Sequence, residues 1–315
     1  MAPNRLVQRL VYLLAVLAAA GAAAGVLVGG GPGRHETETA RGATVTLYGD
    51  GLYAADTWLI GAGSRGQDLA LLLFEVPVLL LVLHRYRRGG QVAAAVLTGV
   101  LAFFTYFFVS LVFGTAQNRM FPVYVAAAST AGFALAAMAS RLDVAAVAAA
   151  LPDRPGRRAL ATYLLAVAFA LTLAWLPEMV TTALSGDIAP AVGPYTSTVT
   201  EALDLGLVVP VALVAAGLLL RRRPAGRVLT LVLLVVNVCI GVLLIGQGVA
   251  QLVSGVPLTV GEIIVKMLTF AVLTLVAGAL LAAMARRGRP RSSASGSALL
   301  RHAENRVPMP RGGPS

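Results

Sequence analysis

One stretch of the chain, residues 68–88, reads DLALLLFEVPVLLLVLHRYRR. An acidic residue opens it, Leu and Val fill most of its middle, and three arginines lie at its end. A helix crosses the hydrocarbon core of a bilayer with roughly 20 apolar residues, and arginines commonly flank its cytoplasmic end. The stretch therefore predicts a transmembrane helix over residues 68–84.

Similar apolar runs fill much of the 315-residue chain, of which 58% is hydrophobic and 12% is charged. A soluble domain carries roughly a quarter of its residues charged, so this composition indicates a polytopic membrane protein surrounded by lipid. We expect an all-α fold with about eight transmembrane helices. Their predicted positions are residues 10–29, 68–84, 92–114, 121–140, 159–177, 202–220, 228–250 and 261–284.

The first apolar run allows two interpretations, because small residues follow it as they do in a cleaved signal peptide. It is about 19 residues long, whereas a signal core has roughly 7–15. Its length favours a retained helix.

The arginines predict how the helices are oriented. Of 24 arginines, 20 lie in the segments at one end of the predicted helices or in the C-terminal tail, and four lie at the other end. Arginine accumulates on the cytoplasmic side, so both termini are predicted to be cytoplasmic. The excess of Arg over a single Lys, beside many Ala and Gly, is typical of a GC-rich bacterial genome, so we expect a bacterial cytoplasmic membrane. The net charge of +11 then reflects topology, and no nucleic-acid partner is expected.

The longest polar segment, residues 30–67, follows the first predicted helix. Within it ATVTLY, Gly49-Asp50-Gly51 and LYAADTWLI have the pattern of strand, turn and strand. Asp-Gly readily adopts the left-handed dihedrals of a tight turn. The segment predicts a small extracytoplasmic β-hairpin over residues 43–60.

Two segments of the chain look alike. Residues 204–223 read DLGLVVPVALVAAGLLLRRR and share with residues 68–88 the opening Asp-Leu, an internal Pro and the terminal arginines. This pattern favours two four-helix halves of the same orientation, although any helix with a capping acid and an arginine end shows part of it. The corresponding domains are residues 1–158 with outer loop 30–67, residues 159–285, and a disordered cytoplasmic tail at residues 286–315.

Several segments carry a resemblance to known sequences. LYGDGLYAADTWLIGAG with the following RGQD, then YTSTVTEALDLG and GVPLTVGEII, resemble a family of uncharacterised bacterial multi-pass membrane proteins. The resemblance extends over much of the chain and implies the membrane location. It implies no activity, substrate or catalytic residue.

Glu75 lies about midway through the predicted span 68–84. A charged side chain at that depth costs roughly 2.5–3.5 kcal/mol on insertion scales, so we expect a protonated Glu75 unless a cation lies nearby. Its functional interpretation is a proton, cation or substrate site. Its structural interpretation is a neutral acid that hydrogen-bonds between helices beside a bend at Pro77.

Further acids gather where the predicted helices meet the outer side. Capping of helix N-termini explains most of them singly, whereas their accumulation on one side predicts an acidic vestibule for a small cation or amine. These acids are Asp68, Glu178, Glu201, Asp204 and Glu262. Lys266 lies one turn after Glu262, either as its intrahelical partner or as a contact for an anionic substrate. Arg119, at an outer turn, is predicted to pair with one of the acids.

The sequence has no phosphate-binding loop, no paired His motif and no convincing nucleophile elbow, so no cofactor or metal is expected. The favoured function is a transporter or permease with an outward acidic vestibule leading to Glu75. The alternatives are a non-transporting subunit or assembly factor that binds a membrane-protein partner through its outer loop, and an intramembrane enzyme.

The topology is testable by cysteine labelling. Cysteines at Gly51 and Ser185 should react in intact cells with a reagent that does not cross the membrane, because both positions are predicted to be outside. A cysteine at Ala225 should react only after the cells are opened. Labelling of the Ala225 variant in intact cells would contradict the orientation.

Overall fold

Long apolar runs form helices because a helix pairs its backbone groups internally, where hydrocarbon offers them no partner. A computed structural model describes residues 3–152, 155–189, 192–259, 261 and 267–285. In chain order its elements are α1 (Arg5–Leu27), β1 (His35–Glu38), β2 (Thr44–Leu47), α2 (Trp58–Arg87), α3 (Gln91–Gly114), α4 (Phe121–Ala139), α5 (Val144–Ala150), α6 (Arg157–Ser185), α7 (Val199–Leu220), α8 (Pro224–Val253) and α9 (Thr269–Ala285).

Seven helices in the described part of the chain, α1–α4 and α6–α8, are long and apolar enough to cross a membrane. This confirms the predicted helical, membrane-type fold. The helix α9 is apolar and has 17 residues. Residues 262–266, which belong to the predicted eighth span, lie outside the described residues, as does the predicted tail 286–315.

The predicted start of the second span was wrong. The helix α2 begins at Trp58 rather than at residue 68, and the Thr57 side chain caps it by accepting a hydrogen bond from the Ile60 N–H at 3.3 Å. Apolar composition alone predicted too short a helix, because the small and polar residues 61–67 continue the helix inside the bundle. Asp68 therefore lies in a helix interior and does not cap an N-terminus.

The predicted hairpin exists in part, with a different pairing. A two-stranded antiparallel sheet joins β1 to β2, with His35 opposite Leu47 and Glu38 opposite Thr44. The predicted first strand is thus β2, but its partner precedes it in the chain. The predicted second strand is wrong: it contributes one antiparallel bridge, between Leu47 and Thr57, and then enters α2.

The Asp50-Gly51 turn was misassigned because its backbone N–H and its carboxylate bond to Gly30, just after the end of α1. The Gly51 N–H donates to the Gly30 carbonyl at 2.8 Å, and the Gly30 N–H donates to the Asp50 carboxylate at 2.8 Å. Gly51 has a φ of 61°, and a Cβ there would lie 2.3 Å from the Val28 carbonyl oxygen. Ala40, in the exposed turn between β1 and β2, is therefore a better position than Gly51 for a labelling cysteine.

Two membrane-length helices contain a π-helical turn, at Leu71–Glu75 in α2 and at Asp204–Val208 in α7. A Val-Pro pair follows each turn directly, with Pro77 and Pro210. Proline has no N–H and clashes with the carbonyl of the preceding turn, and a widened turn relieves this conflict. When the two π-helical turns are aligned, Leu71 corresponds to Asp204. The sequence similarity instead pairs Asp68 with Asp204, so the two alignments differ by three residues. The duplication remains a prediction.

Buried apolar side chains form two clusters that both include α8. One cluster joins α8 to α1–α4 and contains the aromatic run of α3 around Phe104 and Phe108. The other joins α8 to α5, α6, α7 and α9. The helix α8 therefore packs against elements from both predicted halves of the chain.

Glycines permit a close helix approach where α2 crosses α8. A Cβ on Gly66 would lie 2.2 Å from the Gly246 carbonyl oxygen, and a Cβ on Gly246 would lie 2.6 Å from the Gly66 carbonyl oxygen. Both neighbours are backbone atoms, which cannot rotate away. Small residues at such crossings let helix backbones approach in membranes.

Gly66→Ala should therefore destabilise the protein by about 1–3 kcal/mol, as overpacking commonly does. Gly217→Ala is the matched control, because a Cβ at Gly217 meets nothing within 4 Å and alanine favours a helix. Thermal unfolding of both variants in lipid nanodiscs measures the difference. Equal midpoints for the two variants would contradict the assigned crossing.

Candidate functional site

A cavity of about 830 Å³ lies at the end of the bundle that carries the β-sheet, called here the hairpin end. Its walls come from α2, α3, α6, α7, α8 and α9, and the β2 residues Val45 and Thr46 lie at its edge. A volume of this size suits a drug-sized molecule.

Among the described residues, three carboxylic acids line this cavity: Glu178 of α6 and Glu201 and Asp204 of α7. Glu201 and Asp204 lie one turn apart on α7 and each is 5% exposed. The structure thus brings together three of the five acids that the sequence assigned to a vestibule. No Arg, Lys or His is present among the described residues that line the cavity.

Asp204 is held by two aromatic side chains. Its Oδ1 accepts a hydrogen bond from the Tyr106 hydroxyl of α3 at 2.9 Å, and its Oδ2 accepts one from the Trp175 indole of α6 at 2.9 Å. Asp204 also opens the π-helical turn of α7. The two donors fix the carboxyl group without neutralising a negative charge on it.

Amide side chains bond across the helices around the same cavity. The Gln67 amide of α2 donates to the Gln247 carbonyl of α8 at 2.5 Å, and the Gln251 amide donates to the Leu59 carbonyl at 3.0 Å. The Asn237 amide donates to the Tyr163 hydroxyl at 3.1 Å. These pairs connect α8 to α2 and to α6 around the cavity.

Asp68 lies outside the cavity, in the interface of α1 and α2. It is 1% exposed, and its Oδ2 accepts a hydrogen bond from the Tyr53 hydroxyl at 2.6 Å. The Tyr53 hydroxyl lies 3.3 Å from that of Tyr124. A Cβ on Gly25 would lie 1.7 Å from the same Oδ2, so this glycine makes room for the acid.

Glu75 is fully buried in the bundle and does not line the cavity. The Cys239 thiol of α8 lies against its carboxyl group. Neither carboxyl oxygen has a hydrogen bond of ordinary geometry to any described residue. The structure thus places Glu75 inside the bundle, as a functional acid requires, but separates it from the acids of the cavity.

The remaining predicted residues lie elsewhere. Arg119 is exposed at the turn between α3 and α4 and forms no ion pair with a described residue. Glu262 and Lys266 lie outside the described residues.

Sequence reasoning missed Asp56, which joins three segments at the hairpin end. Its Oδ1 accepts hydrogen bonds from the Ala116 N–H at 2.7 Å and from the Tyr195 hydroxyl at 2.8 Å. Arg41 of the β1–β2 turn donates to the carbonyls of Gly193 and Tyr195. The loop after α1 is therefore fastened across the edge of the cavity, to which Tyr195 belongs.

Comparisons with protein-family models, with curated proteins and with solved structures found no match. Among the described residues, no group of three or more His, Cys, Asp or Glu is placed to hold a metal ion. The assignment of a function therefore depends on the cavity and its chemistry.

Burial raises the pKa of Asp56 to about 6, and the bonds from Ala116 and Tyr195 offset only part of this effect. Since the unfolded value is about 3.9, the folded state holds the proton more tightly. The free energy of unfolding should therefore fall as the pH rises from about 4 to about 6, by at most about 3 kcal/mol.

Asp56→Asn should lack this slope, because it cannot ionise. Tyr195→Phe should extend the slope above pH 6, because the carboxylate loses a donor that favours its ionised form. Thermal unfolding midpoints between about pH 4 and about pH 7 compare the three proteins. A wild-type slope that persists unchanged in Asp56→Asn would show that another group causes it.

Proposed function

We propose that this chain is a transporter or permease-like protein of a bacterial cytoplasmic membrane, with about eight transmembrane helices. In this proposal the hairpin end faces outward and both termini are cytoplasmic. The orientation is supported by the arginines. Of 24 arginines, 20 lie in the C-terminal tail or in segments at the end of the predicted helices away from the hairpin. The cavity at the hairpin end then opens toward the outside.

The substrate that this cavity suits is a small organic cation or amine. One observation supports it most directly: Glu178, Glu201 and Asp204 line one cavity whose described residues include no Arg, Lys or His. In a site walled by apolar helices the effective dielectric constant is low, so each carboxylate attracts a cation more strongly than it would in water. Such a cavity concentrates cations and rejects anions.

The shape of the bundle also favours transport over a purely structural role. Polar side chains face one another across several helices, as along a pathway, with Gln67 opposite Gln247 and Tyr106 opposite Asp204. Asp56 and Arg41 fasten the outer loop to the bundle at the edge of this cavity, while the β1–β2 turn itself is exposed.

Glu75 serves a separate step in this proposal, as the acid that carries a proton. It is fully buried, it lacks an ordinary hydrogen-bond partner among the described residues, and it ends the π-helical turn of α2. Asp204 accepts two hydrogen bonds that stabilise its ionised form, whereas Glu75 has neither such donors nor a cation beside it among the described residues. Glu75 is therefore stable in its neutral form, and each ionisation has to be coupled to a structural change. Such π-helical turns occur often at functional sites.

Binding is tested with two ions of the same shape and opposite charge. Tetraphenylphosphonium should bind to the protein in lipid nanodiscs, and tetraphenylborate should not, after subtraction of binding to empty nanodiscs. Asp204→Asn keeps the hydrogen-bonding shape and removes the charge, so it should weaken phosphonium binding by about tenfold, or about 1.4 kcal/mol.

Asp187→Asn is the matched control, because this exposed acid lies outside the cavity. It should bind tetraphenylphosphonium as the wild type does. Equal binding of the two ions, or equal affinities of Asp204→Asn and Asp187→Asn, would refute a cation-binding cavity.

Transport is tested in proteoliposomes with tetraethylammonium, which does not cross lipid by itself. Glu75→Gln should bind tetraphenylphosphonium normally but lose proton-driven uptake, because glutamine cannot ionise. Glu75→Leu should also lose uptake, and it should raise the thermal unfolding midpoint by removing a polar group from an apolar site. Full uptake by Glu75→Gln would leave Glu75 with a structural role only.

A further inference from the structure

The cavity has an unusual share of the aromatic side chains of the chain. Both tryptophans of the protein line it. The aromatic lining residues come from α2, α3, α6, α9 and the loop before α7, and they are Trp58, Tyr106, Phe107, Trp175, Tyr195 and Phe270. Aromatic rings attract cations through their negative faces, and tryptophan does so most strongly. The guanidinium of Arg34 already lies 3.9 Å from the ring centre of Trp58.

Several hydrogen-bonding groups of the cavity bond to one another or to neighbouring side chains. Each oxygen of Asp204 accepts a bond from an aromatic donor, and Gln67 bonds to Gln247. The Tyr195 hydroxyl donates to Asp56. A primary ammonium group carries three donors and loses three water bonds on entry, so it requires free acceptors in return.

A fully alkylated ammonium group has different needs. It has no N–H to satisfy, and it is stabilised by negative charge and by aromatic faces. Asp204 supplies the charge, and the rings of Tyr106 and Trp175 lie next to it because both donate to its oxygens. The cavity continues between apolar side chains such as Leu171, Leu244 and Leu273, which suit the alkyl or aryl part of such a cation.

We propose that the cavity prefers organic cations with a quaternary, fully alkylated nitrogen over primary amines of the same body. This inference rests on the proposed cation-binding function and specifies its substrate class. Recognition takes place at Asp204, between Tyr106 and Trp175, with the apolar substituent directed toward the leucine-lined part of the cavity.

Three probes with one benzyl body separate charge, alkylation and shape. Benzyltrimethylammonium carries the quaternary charge, benzylamine is a primary ammonium at neutral pH, and neopentylbenzene is the neutral isostere of the quaternary ion. Intrinsic fluorescence of the nanodisc-embedded protein reports binding directly, since both tryptophans line the cavity. Benzyltrimethylammonium should bind about tenfold more tightly than benzylamine and neopentylbenzene.

Two variants test the aromatic contribution, with binding followed by competition against labelled tetraphenylphosphonium. Trp175→Phe retains a ring, so it should keep the preference for the quaternary ion with some loss of affinity. Trp175→Leu removes the ring and should reduce the preference to less than about threefold. An unchanged preference in Trp175→Leu would refute the aromatic recognition.

The outcomes distinguish this inference from the function on which it rests. If benzylamine binds as tightly as benzyltrimethylammonium, and both depend on Asp204, the cavity binds cations but the quaternary preference is wrong. If neopentylbenzene binds as tightly as benzyltrimethylammonium, shape alone is recognised and both proposals fail. If no probe binds and tetraphenylphosphonium also fails, the cation-binding function itself is wrong.

Discussion

A polar group inside a membrane has no water to bond to, so its partner must come from a neighbouring helix. Cross-helix bonds meet this constraint at several buried groups and join α2 to α8, α8 to α6, and α7 to both α3 and α6, whereas Glu75 is an exception. The same bonds surround the cavity at the hairpin end, so the contacts that hold the bundle also decide which groups its interior offers to a ligand. The pairs are Gln67–Gln247, Asn237–Tyr163, Tyr106–Asp204 and Trp175–Asp204.

The prolines of α2 and α7 impose a second constraint on the same helices. Each lies just after a π-helical turn, and an acid belongs to each turn: Glu75 ends the first and Asp204 opens the second. The two acids differ in their surroundings. Asp204 meets two donors at the cavity wall, whereas Glu75 faces Cys239 within an apolar cluster. This difference is why we propose ligand binding for one and proton transfer for the other.

The presence of each helix could be predicted better than the residues at which it begins and ends. Apolar composition located every described membrane-length helix, because burial of apolar residues is a property of each run. It misplaced the start of α2 by ten residues, because Gly63 and Ser64 are not apolar and the contact of Gly63 with Gln247 of α8 is not visible in hydropathy. The hairpin prediction found β2 and missed β1, since its pairing depends on contacts between the loop and the end of α1.

The sequence by itself determined the helical, membrane-type class, the arginine bias between the two ends and the presence of acids near one end. Only the tertiary structure decided which acids share a site. Asp68 and Asp204 open similar sequence segments, yet one is enclosed between Gly25 and Tyr53 and the other lines the cavity. The physical reason is that hydropathy and charge are properties of single segments, whereas the surroundings of a buried carboxyl group are set by side chains from other helices, far away in the chain.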